Sequence, residues 1–172
     1  MLLIDDETQT YWDHITGEGV HGPLAGHTLD SWPLRHTTAA AARVEHPDAR
    51  LFRIKRGLLG RAMGTMHNKS INSRGFIPPP FRLTMGTVDP RLPERTNGMG
   101  VIVDGQARFY PMSSLPIEET WTGRPIRVAL GALDGAPHAT WTDDGSRPMQ
   151  LLSRWYGFAF TFPNCEIAGQ ST

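Results

Sequence analysis

Three histidines lie near the start of the chain, and three aspartates lie in the same stretch. They are His14, His21 and His27, with Asp5, Asp6 and Asp13. Histidine and aspartate are residue types that can bind metal ions. Imidazole and carboxylate together form a donor set for Zn²⁺ or another divalent cation. The spacings of seven and six residues between the histidines match no compact ligand motif. We therefore favour histidines that bond backbone groups in a turn-rich region, and keep the metal site as the alternative.

The single cysteine and one pair of adjacent glutamates are the other side chains suited to catalysis. Cys165 is the only cysteine, which excludes an internal disulfide and a Cys-x-x-Cys zinc or redox site. No Lys or Arg lies close to it in sequence and Glu166 follows it, so we expect a buried, unreactive thiol. Glu118 and Glu119 are expected to face solvent. No Gly-x-Ser-x-Gly, phosphate-loop or Gly-x-Gly-x-x-Gly motif is present. We assign no catalytic residue and expect no cofactor.

The charge of the chain is balanced overall but unevenly distributed. There are 17 basic and 17 acidic residues in 172. Residues 53–95 hold nine of the basic residues and two of the acidic ones, a formal charge of +7, and the remainder carries −7. The acidic remainder would repel phosphate, so nucleic acid is excluded as a partner of the whole protein. An anionic membrane surface or an acidic protein facing the basic middle remains open.

The elements that must position these residues predict an α+β, β-rich fold built from two similar halves. Residues 1–53 are the first half, with a helix over Ala39–Glu45 that Pro47 ends. Residues 99–169 are the second half, opened by a hairpin with Asp104-Gly105 at its turn. Aligned without a gap, residues 38–51 match residues 154–167 as a faint repeat. The predicted core residues are Trp12, Leu24, Trp155 and Phe158, and we expect the other aromatic residues of 155–162 to be core as well.

Residues 54–98 form a basic, Pro-rich arm between the halves. Apolar residues recur there at helical spacing with cations off that stripe, which indicates a short amphipathic helix. Pro78-Pro79-Pro80 must be extended because each proline disfavours helix at the preceding residue. The arm supplies the predicted partner- or membrane-binding residues, which are Lys55, Arg56, Leu58, Leu59, Arg61, Met63, Lys69 and Arg74.

Several motifs resemble the domain of unknown function 3179 (DUF3179) family. In the first half these are Trp12–Glu18 (WDHITGE), Gly22–Gly26 (GPLAG) and the His-Pro-Asp end of the helix at His46. In the second half they are Val103–Pro111 (VDGQARFYP) and Arg154–Ala159 (RWYGFA). Many relatives carry a Cys-Pro-Leu-x-Gly element that hints at redox chemistry. That element is absent here, so the resemblance implies a fold class more than an activity.

These observations lead to a functional hypothesis and one alternative. The hypothesis is a non-enzymatic, membrane-extrinsic accessory or scaffold subunit that binds and stabilises a larger bacterial membrane protein complex through its basic arm. A respiratory, photosynthetic or transport complex would be equally consistent with the sequence as the partner. The alternative is a metal-binding or redox enzyme module that uses the His/Asp group of the first half. Because Met1–Glu7 lacks the features of a signal peptide, we expect a peripheral membrane protein on the cytoplasmic face. Relatives in this family are often exported, which favours the periplasmic face as the alternative.

Overall fold

The computed structural model describes residues 2–30, 36–50 and 86–170, with single residues 52, 57, 59, 60, 64 and 83 between them. The chain divides into two compact units, Met1–Leu34 and Arg35–Thr172. Ten strands and two helices of the described residues are numbered below in chain order. The β-rich α+β class is confirmed. The predicted limits of the halves and the arm stay predictions, and so does their repeat.

The first unit is a three-stranded antiparallel sheet in the order β1-β2-β3. Its strands are β1 (Leu2–Ile4), β2 (Tyr11–Asp13) and β3 (Gly19–His21). Trp12 is buried, as predicted, and packs over Gly19, where a side chain would overlap the carbonyl of Leu24. Leu24 itself is only half-buried, so its assignment to the core was wrong. Its segment lies across the edge of this small sheet, which cannot enclose it.

The helix α1 (Ala39–Glu45) begins and ends at the residues that the sequence predicts. Thr38 is the N-cap, and its side chain accepts a hydrogen bond from the backbone N–H of Ala41. His46 ends the helix with φ, ψ values of −130°, 75°, outside the α region that Pro47 disfavours for the residue before it. Of its seven residues only Ala41 is buried, so α1 contributes little to a core.

A four-stranded sheet in the order β10-β5-β4-β9 forms the centre of the second unit. Its strands are β4 (Asn97–Val103), β5 (Gln106–Pro111), β9 (Met149–Arg154) and β10 (Glu166–Ile167). The β4–β5 hairpin turns at Asp104 and Gly105, whose φ values of 49° and 77° are those of the predicted Asp-Gly turn. Only β10 pairs in parallel, against Arg108 and Phe109 of β5.

A second sheet packs on one face of this central sheet. It consists of β6 (Ile117–Trp121), β7 (Arg124–Leu130) and β8 (Pro137–Trp141), paired in chain order. Met99, Val101 and Tyr110 point from the central sheet into a common core that also contains Trp121 and Trp141. The sequence analysis missed β6, and with it the placement of Glu118 and Glu119 within a strand.

The helix α2 (Trp155–Thr161) covers the other face of the central sheet. Because side chains alternate along a strand, Gly98, Gly100 and Phe109 point towards it. Trp155 and Phe158 are 0% and 2% exposed, which confirms both as core residues. A Cβ on Gly100 would overlap the ring of Phe158, so glycine at this position lets the helix approach the sheet.

The side chain of Gln150 joins the two sheets at the edge strand β8. Its amide oxygen accepts from the backbone N–H of Ala139 at 2.9 Å, and its amide nitrogen donates to the Ala139 carbonyl at 3.1 Å. Ala139 is completely buried. The side chain thus satisfies backbone groups that an edge strand would otherwise leave without a partner.

We expect Gly100→Ala to destabilise the second unit by about 1–3 kcal/mol, because the added methyl group forces Phe158 off the sheet. Gly157→Ala is the matched control on α2. Its Cβ would meet only the Ser153 hydroxyl at 3.6 Å, so the better helix propensity of alanine should stabilise the protein by about 0.5–1 kcal/mol. Urea unfolding measures both changes. Equal stability of parent and Gly100→Ala would refute this packing.

Candidate functional site

The three histidines of the first unit are exposed and do not form a metal site. His14, His21 and His27 are all at the surface. Within the part of the chain that the structure describes, no three His, Cys, Asp or Glu side chains are grouped closely enough to hold a metal ion. His21 lies beside Tyr11, with 5.8 Å between the ring centroids. The geometry therefore gives the metal alternative no support.

The aspartates of the same stretch organise turns. Asp5 accepts hydrogen bonds from the backbone N–H of Thr8 at 2.5 Å, from the Thr8 hydroxyl at 2.6 Å and from the Trp12 indole at 2.8 Å. The Thr8 hydroxyl bond, the indole bond and the Thr8 backbone bond together lower the pKa of Asp5 to about 2. Asp13 accepts from the backbone N–H groups of Ile15 and Thr16. Both carboxylates are thus engaged in shaping the loops around β2.

Cys165 lies next to Arg91, which is 74 residues away in the sequence and which we call the arginine clamp. Arg91 forms a bidentate ion pair with Asp89 and donates to the Cys165 carbonyl at 2.8 Å. Its guanidinium lies over the Trp155 ring, 5.3 Å from the centroid, and the Trp155 indole donates to the Asp89 carbonyl at 2.9 Å. The clamp ties the segment before β4 to α2 and to the loop that leads into β10.

The environment of Cys165 opposes formation of a thiolate. The thiol is 2% exposed, and burial raises its pKa although Arg91 lies 3.9 Å from the sulfur and acts in the opposite direction. From the sequence we expected no cation near the thiol, and we expected Glu166 to raise its pKa. The cation is Arg91, and the acid that raises the pKa further is Asp89. A shallow depression of about 400 Å³ borders this loop, lined by Ala107, Phe162 and Asn164 among others.

A second charged cluster lies on the face of β5 that is turned away from α2. Arg108 forms ion pairs with Glu119 of β6 at 2.7 Å and with Glu166 of β10, and its guanidinium lies over the Trp121 ring. The Tyr110 hydroxyl donates to Glu119 at 2.7 Å. Burial, followed by that carboxylate, raises the pKa of Tyr110 far above its usual value. Glu119 is therefore half-buried and paired with Arg108 and Tyr110, contrary to the expectation that it faces solvent, whereas Glu118 is exposed and pairs with Arg127.

A buried carboxylate at the β7–β8 turn holds the start of α1. The Asp134 side chain is fully buried, accepts from the Thr37 hydroxyl at 2.7 Å and lies 3.4 Å from Nε2 of His138. Gly131 is required beside them, since a Cβ there would overlap the Asp134 carboxylate. Threonine, aspartate and histidine do not form a nucleophilic triad here, because the threonine contacts the acid instead of the histidine.

Most of the predicted partner-binding residues lie outside the described residues. Seven of them do so, namely Lys55, Arg56, Leu58, Arg61, Met63, Lys69 and Arg74. Leu59 is described and is 77% exposed. The end of the arm belongs to the packed second unit. The backbone carbonyls of Thr96 and Glu94 accept hydrogen bonds from the first two backbone N–H groups of α2. Residues 53–85 then carry seven basic residues and no acidic one.

The aromatic residues of α2 divide between the core and the surface. Trp155 and Phe158 are buried, while Tyr156 and Phe162 are half-buried. Phe160 is 72% exposed, so its assignment to the core was wrong. The helical period explains this, because Phe160 lies four residues after Tyr156 on the side turned away from the sheet. A Cβ on Gly86 would lie 3.4 Å from the Phe160 ring, so Gly86 is the described residue of the arm that lies beside this side chain.

The comparisons with known proteins identify a family but no activity. Residues 1–150 match the family described as "Protein of unknown function (DUF3179)". The chain belongs to the DUF3179 family. The resemblance of the Trp-Asp-His and Gly-Pro-Leu segments is thereby confirmed. No curated protein and no solved structure is significantly similar to the chain. The described residues contain no helix long and apolar enough to cross a membrane.

Sequence reasoning missed Arg91, Arg108 and Asp134, which organise the clusters of the second unit. Arg91 acts on a loop 74 residues away and Arg108 on a strand 58 residues away. A local signal existed for each arginine. Arg91 follows Asp89 by two residues, and Arg108 lies between the apolar residues Ala107 and Phe109 of a predicted strand. An arginine at a half-buried strand position requires a carboxylate partner.

The lowered pKa of Asp5 gives a prediction for acid titration of the first unit. Its contribution to stability is present above the unfolded pKa of about 4 and is lost as the pH falls through the folded value of about 2. We expect Asp5→Asn to be less stable than the parent at neutral pH and the difference to narrow towards pH 2. The Trp12 indole N–H resonance reports the transition. Asp6→Asn is the control and should follow the parent, and identical curves for all three proteins would contradict the assignment.

The clamp on the Cys165 loop gives a prediction for thiol reactivity. A neutral-pH thiol reagent should label the native protein far more slowly than the urea-unfolded one, because the sulfur is buried and its pKa is raised. Arg91→Ala should accelerate labelling by releasing the carbonyls of Cys165 and Pro163. The control is Arg124→Ala, which removes an arginine of similar geometry, paired with Asp143 and over the Trp141 ring. Fast labelling of the native parent would overturn the prediction.

Proposed function

We propose that this DUF3179 protein is a non-enzymatic accessory or scaffold subunit that attaches to a larger bacterial membrane protein complex from outside the bilayer. The basic arm would make the attachment, with the packed second unit as its support. The partner is a respiratory, photosynthetic or transport complex, and an anionic membrane surface adjoins it. We favour the cytoplasmic face.

The observation that carries the proposal is the segregation of charge. Seven cations without an acid fall in residues 53–85. The remainder of the chain has an excess of acidic residues, and Arg91, Arg108, Arg124 and Arg127 in the second unit each pair with a carboxylate. A surface that concentrates positive charge attracts anionic partners over about 10 Å at 0.1 M salt. Each cation close to an anionic leaflet contributes about 1 kcal/mol.

Exposed apolar side chains within this stretch and directly before it support the proposal. Phe52, Leu59 and Leu83 are 88%, 77% and 87% exposed. Apolar groups beside cations are the composition of surfaces that lie on a membrane interface or dock to a protein there. The apolar part adds a contribution to binding that salt does not screen.

We also propose that the fold contains a pseudo-repeat interrupted by the arm. Both helices have seven residues, and an offset of 116 brings Thr38 onto Arg154 and His46 onto Phe162, their respective caps. His46 and Phe162 have φ, ψ values of −130°, 75° and −124°, 75°. A proline follows each, and the third residue after each cap donates to its carbonyl. A common ancestor of the two segments accounts for this agreement.

The arm is tested by separating its ionic and apolar contributions. Replacing Lys55, Arg56, Arg61, Lys69 and Arg74 by Gln should flatten the salt dependence of binding to native membranes. Leu58→Asp with Leu59→Asp should weaken binding at every salt concentration, because apolar burial contributes about 25 cal/mol per Å² independently of ionic screening. Sedimentation with native membranes across a salt series measures both, with circular dichroism as the folding control.

The matched control changes cations outside the arm. Arg124→Gln with Arg127→Gln removes two arginines of β7, one half-buried and one exposed, and should leave sedimentation unchanged. Identification of the proteins that co-purify with the parent, but not with the arm variants, then names the host complex. Association of both arm variants at the level of the parent would contradict the proposed function.

A further inference from the structure

The first unit has an open strand edge at β1. Among the described strands only β2 pairs with β1, because the sheet has the order β1-β2-β3. The side chains of Leu2, Leu3 and Ile4 are 51%, 51% and 48% exposed. Native sheets often protect an exposed edge with Lys, Pro or a β-bulge, and the three residues of β1 include none of these.

The pairing of β1 with β2 shows which backbone groups face outwards. The N–H of Asp5 donates to the carbonyl of Thr10 at 3.2 Å, one position beyond Ile4 in the register. Along an antiparallel ladder, pairs of residues that exchange hydrogen bonds alternate with pairs that do not. Asp5 and Leu3 therefore bond to β2, whereas the N–H and C=O groups of Leu2 and Ile4 point away from it. These outward groups are the ones that an added strand can bond.

The charge of the first unit favours a basic partner at this edge. Residues 1–34 contain six acidic residues and neither Lys nor Arg. Asp5 and Asp13 shape turns, and the other four acids are exposed, namely Asp6, Glu7, Glu18 and Asp30. Asp6 and Glu7 come two and three residues after the end of β1. A second copy of this unit would bring like charge to the edge, whereas a segment with Lys or Arg brings the opposite charge.

We propose that β1 pairs with an extended, basic segment of another protein, which adds a fourth strand to the sheet. The backbone of that segment bonds to Leu2 and Ile4, and its cations lie among the carboxylates beyond the strand. Its apolar side chains pack on Leu2 and Ile4, which lie on one face of the sheet. Because β1 has only three residues, backbone bonds and charge must act together. The inference goes beyond the proposed function and does not depend on it, since it concerns the first unit alone.

A synthetic peptide added to the full chain tests the pairing. The probe is Lys-Val-Lys-Val-Lys-Val-Lys, blocked at both ends, and the control peptide has prolines in place of the valines. The control keeps the charge but cannot pair as a strand. We expect the probe to protect the Ile4 amide from hydrogen exchange and to bind at least about ten-fold more tightly than the control. Its affinity should fall as the salt concentration rises, because mobile ions screen exposed charges.

Variants of the chain separate the backbone contribution from the charge. Ile4→Pro removes an outward donor without removing a bond to β2, and should weaken probe binding by about ten-fold relative to Ile4→Ala, which keeps the donor. Asp6→Asn with Glu7→Gln should weaken binding at low salt. The matched control, Asp48→Asn with Asp104→Asn, neutralises two exposed acids of the second unit and should bind like the parent. The Trp12 indole N–H resonance reports that the first unit is folded in each variant.

Several outcomes would overturn the proposal. Equal binding of the two peptides, or equal affinity of Ile4→Pro and Ile4→Ala, would show that no strand is added at β1. An unchanged affinity of Asp6→Asn with Glu7→Gln would refute the basic character of the partner, also if the proline variant did not fold. Self-association of the parent that Ile4→Pro abolishes would place a second copy at the edge instead. None of these results bears on membrane binding by the arm, which is measured separately by sedimentation.

Discussion

The alternation of side chains along β4 is the constraint on which the second unit depends. Met99 and Val101 point into the core between the two sheets, while Gly98 and Gly100 point towards α2. One strand therefore supports two cores of different construction. The sheet side is filled by large residues, and the helix side is left empty so that Phe158 can occupy the space above Gly100. A shift of one residue in register would exchange these faces and remove both cores at once.

Charged clusters then attach the outer pieces to this frame. Arg108 joins β5 to β6 and β10, and Arg91 joins the entry to β4 with α2 and the Cys165 loop. In each case the guanidinium lies over a tryptophan as well as meeting carboxylates. Arginine suits this position because its planar group forms several directed bonds and stacks on aromatic rings. The two-residue strand β10 is held by its backbone pairing with β5, by the burial of Ile167 and by these side chains.

The same arrangement relates structure to the proposed role. Groups with catalytic chemistry, namely Cys165, Glu119 and Asp5, are engaged in packing or in turns. In the proposed function, the cation-rich residues 53–85 would make the attachment and the packed second unit would support them. DUF3179 membership defines the protein's relatives and leaves that role to experiment.

Local signals in the sequence determined the β-rich class, the caps of α1, the Asp-Gly hairpin of β4 and β5, and the burial of Trp12, Trp155 and Phe158. These follow from side-chain periodicity, capping chemistry and proline, which act within a few residues. Only the tertiary structure decided the exposure of Phe160, the pairing of Glu119 with Arg108, the incomplete burial of Leu24 and the placement of Arg91 beside Cys165. Each depends on a neighbour brought near by folding, or on how far a sheet extends, and local sequence does not encode those distances.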